Sequence, residues 1–114
     1  MISLEQARKA ALSLHEVEEK SHFHIPDFRI KNKIYATLHE DKHLMMVNLS
    51  LKDQSVFCSF KKEVIFPVPG GWGRKGATFI NLKKIKKEML IDALTCAWKR
   101  NASPKLSKKY FEKE

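Results

Sequence analysis

The sequence predicts an α+β fold in which helices pack on one face of an antiparallel sheet. Apolar residues recur at helical spacing near both ends of the chain. Between them lie short runs rich in β-branched and aromatic residues, which favour strands. Short polar turns join these runs, as in hairpins. The 114 residues are enough for one domain, 1–114, with a single hydrophobic core.

The N-terminal part predicts one helix followed by a strand meander. Ser3 and Gln6 have the spacing of a capping box, and apolar residues then follow at helical spacing, which predicts an amphipathic helix over 4–14. Pro26 and Asn32 then interrupt runs typical of strands. We therefore expect three or four antiparallel strands across 21–49.

The middle of the chain predicts a short helix and an unusual loop. Ser50 suits a helix start, so a mid-chain helix is expected over 51–60, followed by a brief strand at 64–66. All four glycines lie in the segment 67–76, and glycine clusters mark positive φ or close backbone approach. Residues 77–80 predict the next strand.

The C-terminal part predicts a long helix and a short one. Asn81 can cap a helix from about Lys83 to Arg100, on which apolar residues cover half the circumference. Pro104 suits the first position of a final helix that includes 105–110. Trp98, near the end of the long helix, is expected to pack against this last segment.

The charge distribution suggests a polyanionic partner. The formal net charge is +9, with 8 basic and 8 acidic residues in 1–60 but 14 basic and 5 acidic residues in 61–114. Such asymmetry is typical of nucleic-acid binding. The alternative is a lysine-rich, solvated surface. Because only four of the 22 basic residues are arginine, any binding to nucleic acid should read phosphates rather than base edges.

Composition excludes several classes of protein. No apolar run approaches the ~18 residues that span a bilayer, and the N-terminal segment lacks the apolar core of a secretory signal. Cys58 and Cys96 lie far apart in apolar settings, so we expect buried thiols rather than a disulfide framework. These features predict a cytoplasmic protein without a membrane segment, and we expect a monomer.

Two segments match catalytic or cofactor motifs by letters alone. Residues 39–43 fit H-E-x-x-H, but they separate two strand-like runs, and a turn cannot present both histidines on one helix face to zinc. Residues 71–76 fit G-x-G-x-x-G, but a strand follows where a dinucleotide site needs a helix. No nucleophile has a recognisable setting, so the sequence predicts no enzyme, metal or cofactor.

A group of cations around the glycine segment forms the candidate site. Trp72 stands between two glycines and precedes two cations, so it could stack on a base or wedge into a groove. Alternatively, its indole folds back over one end of the sheet. The candidate nucleic-acid-binding residues are Trp72, Arg74, Lys75, Lys83, Lys84, Lys87, Lys61 and Lys62.

Several segments, in order over about residues 4–110, carry a family resemblance. They are residues 12–19, Pro26-Asp-Phe-Arg-Ile, Lys33-Ile-Tyr-Ala-Thr-Leu, Phe66 to Phe79 with its glycines and Trp72, and Leu94-Thr-Cys-Ala-Trp. Together they resemble the MmcQ/YjbR-like family. The resemblance implies a CyaY/frataxin-like α+β domain of the double-wing type with a DNA-binding role. Iron binding is not implied, because residues 4–14 contain only one acid, Glu5.

The sequence thus predicts a non-enzymatic protein that binds DNA weakly and with little sequence preference. Lys83, Lys84, Lys87, Arg74 and Lys75 would neutralise phosphates, and Trp72 would contact a base or groove. The alternative is an accessory module that binds a protein or small ligand through the 67–76 loop. A concave apolar pocket under that loop, walled by Trp72, would distinguish the second possibility from the first.

Overall fold

The computed structural model describes residues 1–111, and for His22 the backbone alone. It contains one sheet, five α-helices and one short 3-10 turn within these residues. In chain order the elements are α1 Leu4–Leu12, β1 Val17–His22, β2 Ile25–Ile30, β3 Lys33–His39, the 3-10 turn Glu40–Lys42, β4 Leu44–Asn48, α2 Leu51–Cys58, β5 Ile65–Pro67, α3 Gly71–Arg74, β6 Ala77–Asn81, α4 Lys87–Asn101 and α5 Pro104–Phe111.

The six strands form an antiparallel sheet in the order β1-β2-β3-β4-β6-β5. The first four form the predicted meander, although β1 begins at Val17, earlier than the sequence indicated. Pro26 does not separate two strands as predicted, because it lies within β2 and the turn falls at residues 23–24. β6 lies between β4 and β5, with Ile80 opposite both Met45 and Ile65. The α+β prediction is therefore confirmed, with the most C-terminal strand inside the sheet rather than at its edge.

One face of the sheet carries the core. Leu38, Met45 and Ile80 are buried on this face, whereas alternate residues such as Met46 and Phe79 are partly exposed on the other. An irregularity between β2 and β3 leaves Tyr35 as an extra residue, so both it and the following Ala36 are buried. The Tyr35 hydroxyl donates a 2.5 Å hydrogen bond to the Ala11 carbonyl, which joins the sheet to α1.

The helices close the core as the C-terminal pattern predicts. Trp98 of α4 is completely buried, and its indole N–H donates to the His15 carbonyl at 2.8 Å. Its ring meets Tyr110 and Phe111 of α5 edge-on, which confirms that it packs against the last segment. Within residues 1–111, no helix has the length and apolar character needed to cross a membrane.

The predicted start of the long helix is wrong. α4 begins at Lys87 rather than Lys83, and its N-cap Lys86 forms no side-chain cap. The Asn81 side chain instead accepts from the Lys83 N–H at 3.0 Å and so closes a turn before the helix. Burial explains the later start of α4, because the turn places Leu82 and Ile85 in the core before the helix begins. Lys83 and Lys84 therefore precede the helix rather than forming its first turn.

The glycine segment is not only a loop, because residues 71–74 form the short helix α3. Gly70 before it and Gly76 after it have φ values of +88° and +113°. A Cβ at Gly76 would collide with the Leu49 carbonyl, whose own N–H donates to the Gly76 carbonyl at 3.0 Å. Positive φ and close backbone approach, the two reasons predicted for clustered glycines, both occur here.

We predict that Gly76→Ala destabilises the protein by at least about 2 kcal/mol, because positive φ and backbone overlap act together. Gly71→Ala is the matched control, since its new methyl group meets open space in a helix. Urea denaturation of both variants measures the difference. Equal stability of the two would show that the backbone at residue 76 is not constrained.

Candidate nucleic-acid interface

α3 presents the tryptophan of the glycine segment to solvent. Trp72 is 72% exposed, so its indole does not fold back over the sheet. The Lys75 Nζ atom lies 5.7 Å from the centroid of its ring, within the range of a cation–π contact. Arg74 and Lys75 are also exposed. We call Trp72, Arg74 and Lys75 the tryptophan tip.

Buried contacts hold this tip from beneath. The side-chain amide of Gln54, a buried residue of α2, donates to the Gly73 carbonyl at 2.8 Å and to the Ala77 carbonyl at 3.1 Å. A Cβ at Gly73 would overlap the Val68 carbonyl, so α3 lies directly against that segment. Because α2 and the sheet both fix α3, the backbone that carries Trp72 has a defined position.

A second group of cations surrounds the opposite end of β6. Asn81 joins two loops there: its N–H donates to the Val64 carbonyl at 2.7 Å and its side-chain amide to the Glu63 carbonyl at 3.3 Å. The first loop carries Lys61 and Lys62, and the second follows Asn81 directly. We call this group the lysine cluster; its members, all exposed, are Lys61, Lys62, Lys83, Lys84 and Lys86.

The structure therefore places seven of the eight predicted site residues at two positions. The tryptophan tip precedes β6 and the lysine cluster follows it, and Ala77 and Asn81 at its two ends are about 14 Å apart at ~3.4 Å per residue. Lys87 follows Lys86 of the lysine cluster directly in the chain but does not line the same cavity. It lines the groove between α1 and α4, together with Gln6 and Ile91.

The charges of both groups are unpaired. None of the eight predicted residues forms an ion pair within 4.0 Å with another residue in 1–111. By contrast, Arg8, Arg29 and Lys31, in the charge-balanced half of the chain, each have a carboxylate partner. Two acids, Glu88 and Asp92, line a cavity beside Lys84. Both groups thus present unpaired positive charge at the surface.

The H-E-x-x-H match at residues 39–43 has an ordinary structural setting. His39 ends β3 and contacts the Thr37 hydroxyl at 2.9 Å, while His43 follows the 3-10 turn and donates to the Ile2 carbonyl at 2.9 Å. The turn predicted for residues 39–43 is confirmed. In the part of the chain that the structure describes, no three His, Cys, Asp or Glu side chains are grouped to hold a metal ion.

The cysteines are less buried than expected. Cys58 and Cys96 are free thiols at intermediate burial. Partial burial raises the pKa of both thiols, and the Asp53 carboxylate contributes further to the rise at Cys96. The thiol form, which is the weaker nucleophile, is thereby favoured at both positions.

A shallow cavity lies under the glycine segment, but Trp72 is not one of its walls. Its lining includes Gln54, Pro67, Pro69 and Arg74. The arrangement that would favour a ligand-binding module, an apolar pocket walled by Trp72, is therefore not the one found.

Sequence reasoning missed two residues that organise the site. Gln54 reads as a polar residue near a helix start, but it shares the inner face of α2 with Phe57 and Cys58, at i+3 and i+4. The spacing of Gln54 with Phe57 and Cys58 is therefore the sequence feature from which its burial could have been predicted. Asn81 was expected to cap a helix, and nothing in the sequence shows that it also bonds to the backbone at Glu63.

Comparison with known proteins gives a family and a fold. The family model described as YjbR matches residues 12–100. A crystal structure of the Deinococcus radiodurans protein DR2400, with the family-model domain DUF419, is similar to this chain with a TM-score of 0.74 and 14% sequence identity. That likeness covers 96% of this chain and 87% of the Deinococcus chain. The search of curated proteins gave no match.

We predict that Gln54→Leu loosens the tryptophan tip, because two buried hydrogen bonds are lost at a cost of about 1–3 kcal/mol. Amide hydrogen exchange should accelerate at residues 71–76 more than in α4. Ser55→Ala, at an exposed position of the same helix, is the control and should leave this exchange unchanged. Unaltered exchange in Gln54→Leu would mean that the amide does not position α3.

Proposed function

The chain belongs to the YjbR family, and on that premise we propose that it is a non-enzymatic DNA-binding protein with low sequence specificity. The observation that carries the proposal is the exposure of Trp72 beside two unpaired cations, on a short helix held by buried contacts. A large indole left in water loses the free energy that burial provides. A ligand that covers the ring recovers this free energy.

The two cationic groups suit a partner with regularly spaced negative charge. Phosphates of double-stranded DNA supply one charge per about 1.7 Å of helix axis, so a separation of about 14 Å along β6 spans several of them. In the proposed complex the lysine cluster neutralises phosphates at one end. Arg74 and Lys75 do the same at the other end, where the Trp72 ring stacks on a base or enters a groove.

The choice of cations accounts for the low specificity. The lysine cluster contains no arginine, and a lysine ammonium is a point charge without the planar fork that reads guanine. Arg74 is the one arginine among the eight proposed contacts. Binding therefore depends on counterion release, and neutralising about five phosphates gives a slope near −4 to −5 for log K against log salt.

We predict that the double variant Lys83→Glu/Lys84→Glu loses DNA binding while its thermal stability stays nearly unchanged, because both side chains are exposed and unpaired with any residue in 1–111. The matched control is Lys105→Glu/Lys108→Glu on α5, which makes the same change in net charge at two other exposed lysines. Fluorescence anisotropy with labelled duplex and single-stranded DNA at low salt measures both.

Three results would contradict the proposal. The first is absence of binding by the unaltered protein at low salt. The second is binding that does not weaken as salt rises. The third is equal loss of binding in both double variants, which would mean that net charge alone attracts DNA and that the lysine cluster has no special part.

A further inference from the structure

Three lysines of the lysine cluster, Lys61, Lys84 and Lys86, line a cavity whose apolar interior has no part in the proposed phosphate binding. It lies between the segment 60–64 and the start of α4 and has a volume of about 220 Å³. We propose that it receives one unpaired base of single-stranded DNA while the surrounding lysines contact the neighbouring phosphates. This inference rests on the proposed function and specifies the form of DNA that the site accepts.

The interior of the cavity suits a flat, largely apolar ring. Val64 and Ile85, both almost fully buried, line its deep part, and Met89 is partly buried beside them. Phe60, which is 52% exposed, offers an aromatic ring at the opening. Because an apolar cavity of about 150 Å³ in a protein accepts benzene, this larger one has room for an aromatic ring with polar substituents.

The polar groups around the cavity match the rest of a nucleotide. Lys61, Lys84 and Lys86 line it and lie where phosphates on both sides of an inserted base would be neutralised. Glu88 and Asp92 also line it and share one face of α4, because they are four residues apart. Carboxylates accept hydrogen bonds and disfavour phosphate, so they favour the amino edge of a base, such as that of cytosine.

Single-stranded DNA fits this arrangement better than a duplex. A base in a duplex is stacked and paired, and inserting it here would require flipping it out at a cost of a few kcal/mol. An unpaired base avoids most of that cost, and its stacking on an aromatic side chain increases affinity whichever base is present. The cavity therefore adds a preference for single strands to the salt-dependent attraction of the lysines.

The probe that tests this is a labelled 12-unit strand of abasic sugar phosphates with one central base, compared with the same strand carrying no base. We expect the unaltered full chain to bind the strand with a central cytosine at least about fivefold more tightly than the abasic strand, and more tightly than a strand with a central thymine. Phe60→Ala and Met89→Ala should each remove most of this difference, while their affinity for a short duplex changes less than about twofold.

Leu51→Ala is the matched control, because Leu51 is also an exposed apolar residue (58%) but does not line the cavity. Leu51→Ala should keep the full difference in affinity between the cytosine strand and the abasic strand. Circular dichroism of all three variants verifies that each is folded. Free deoxycytidine monophosphate should compete only at concentrations far above that of the strand.

Each contrary result identifies which idea fails. If the unaltered protein binds neither strands nor duplex, the proposed DNA binding fails, and this inference with it. If it binds DNA but holds the abasic and cytosine strands equally, only the base site is wrong. Tighter binding of thymine than cytosine, equal losses for strand and duplex in Phe60→Ala, or efficient competition by the free nucleotide would also overturn the base site.

Discussion

The arrangement of the candidate site depends on strand β6. This strand pairs with β4 on one side and β5 on the other, so hydrogen bonds on both edges fix its position. The tryptophan tip precedes its first residue, and the lysine cluster surrounds its last. Because the strand is short and doubly paired, its length sets the separation of the two cationic groups. Neither group can move along the sheet without breaking ladder hydrogen bonds.

Polar contacts at the two ends of β6 hold the adjoining segments in defined positions. At one end the buried amide of Gln54 and the constrained Gly76 hold α3, and at the other the Asn81 side chain bonds to two loops. The two tryptophans illustrate the difference between core packing and these contacts at the surface. Trp98 is buried and its N–H is satisfied, whereas Trp72 is held at the surface. Core packing explains the first residue but gives no reason for the second.

The sequence predicted the elements well where local chemistry decides them. The capping box of Ser3 and Gln6, the first-turn Pro104 and the polar turn at 39–43 are all present. It failed where long-range burial decides. Helical spacing around residues 82–86 cannot show that Leu82 and Ile85 are drawn into the core by a turn. The four residues of α3 are too few to produce a periodic pattern.

The residues of the candidate site could be predicted from the sequence, but their arrangement could not. Clustered lysines and a tryptophan between glycines are visible in the sequence, as is the charge imbalance between the halves of the chain. Their division between the two ends of β6 requires the strand order, and the position of Lys87 in the groove beside α1 requires the packing of α4. The cavity between Phe60 and Met89 joins residues far apart in the chain, so no local pattern indicates it.

The proposed binding mode requires both ends of β6 to contact one DNA molecule at once. Titrating the ¹⁵N-labelled protein with DNA and following amide and indole signals by NMR tests this most directly. We expect the Trp72 indole signal and the backbone signals of residues 61–62 and 83–86 to shift with the same dependence on DNA concentration, while the Trp98 indole signal does not move. Shifts confined to one end of β6, or centred on α1 and β1, would contradict it.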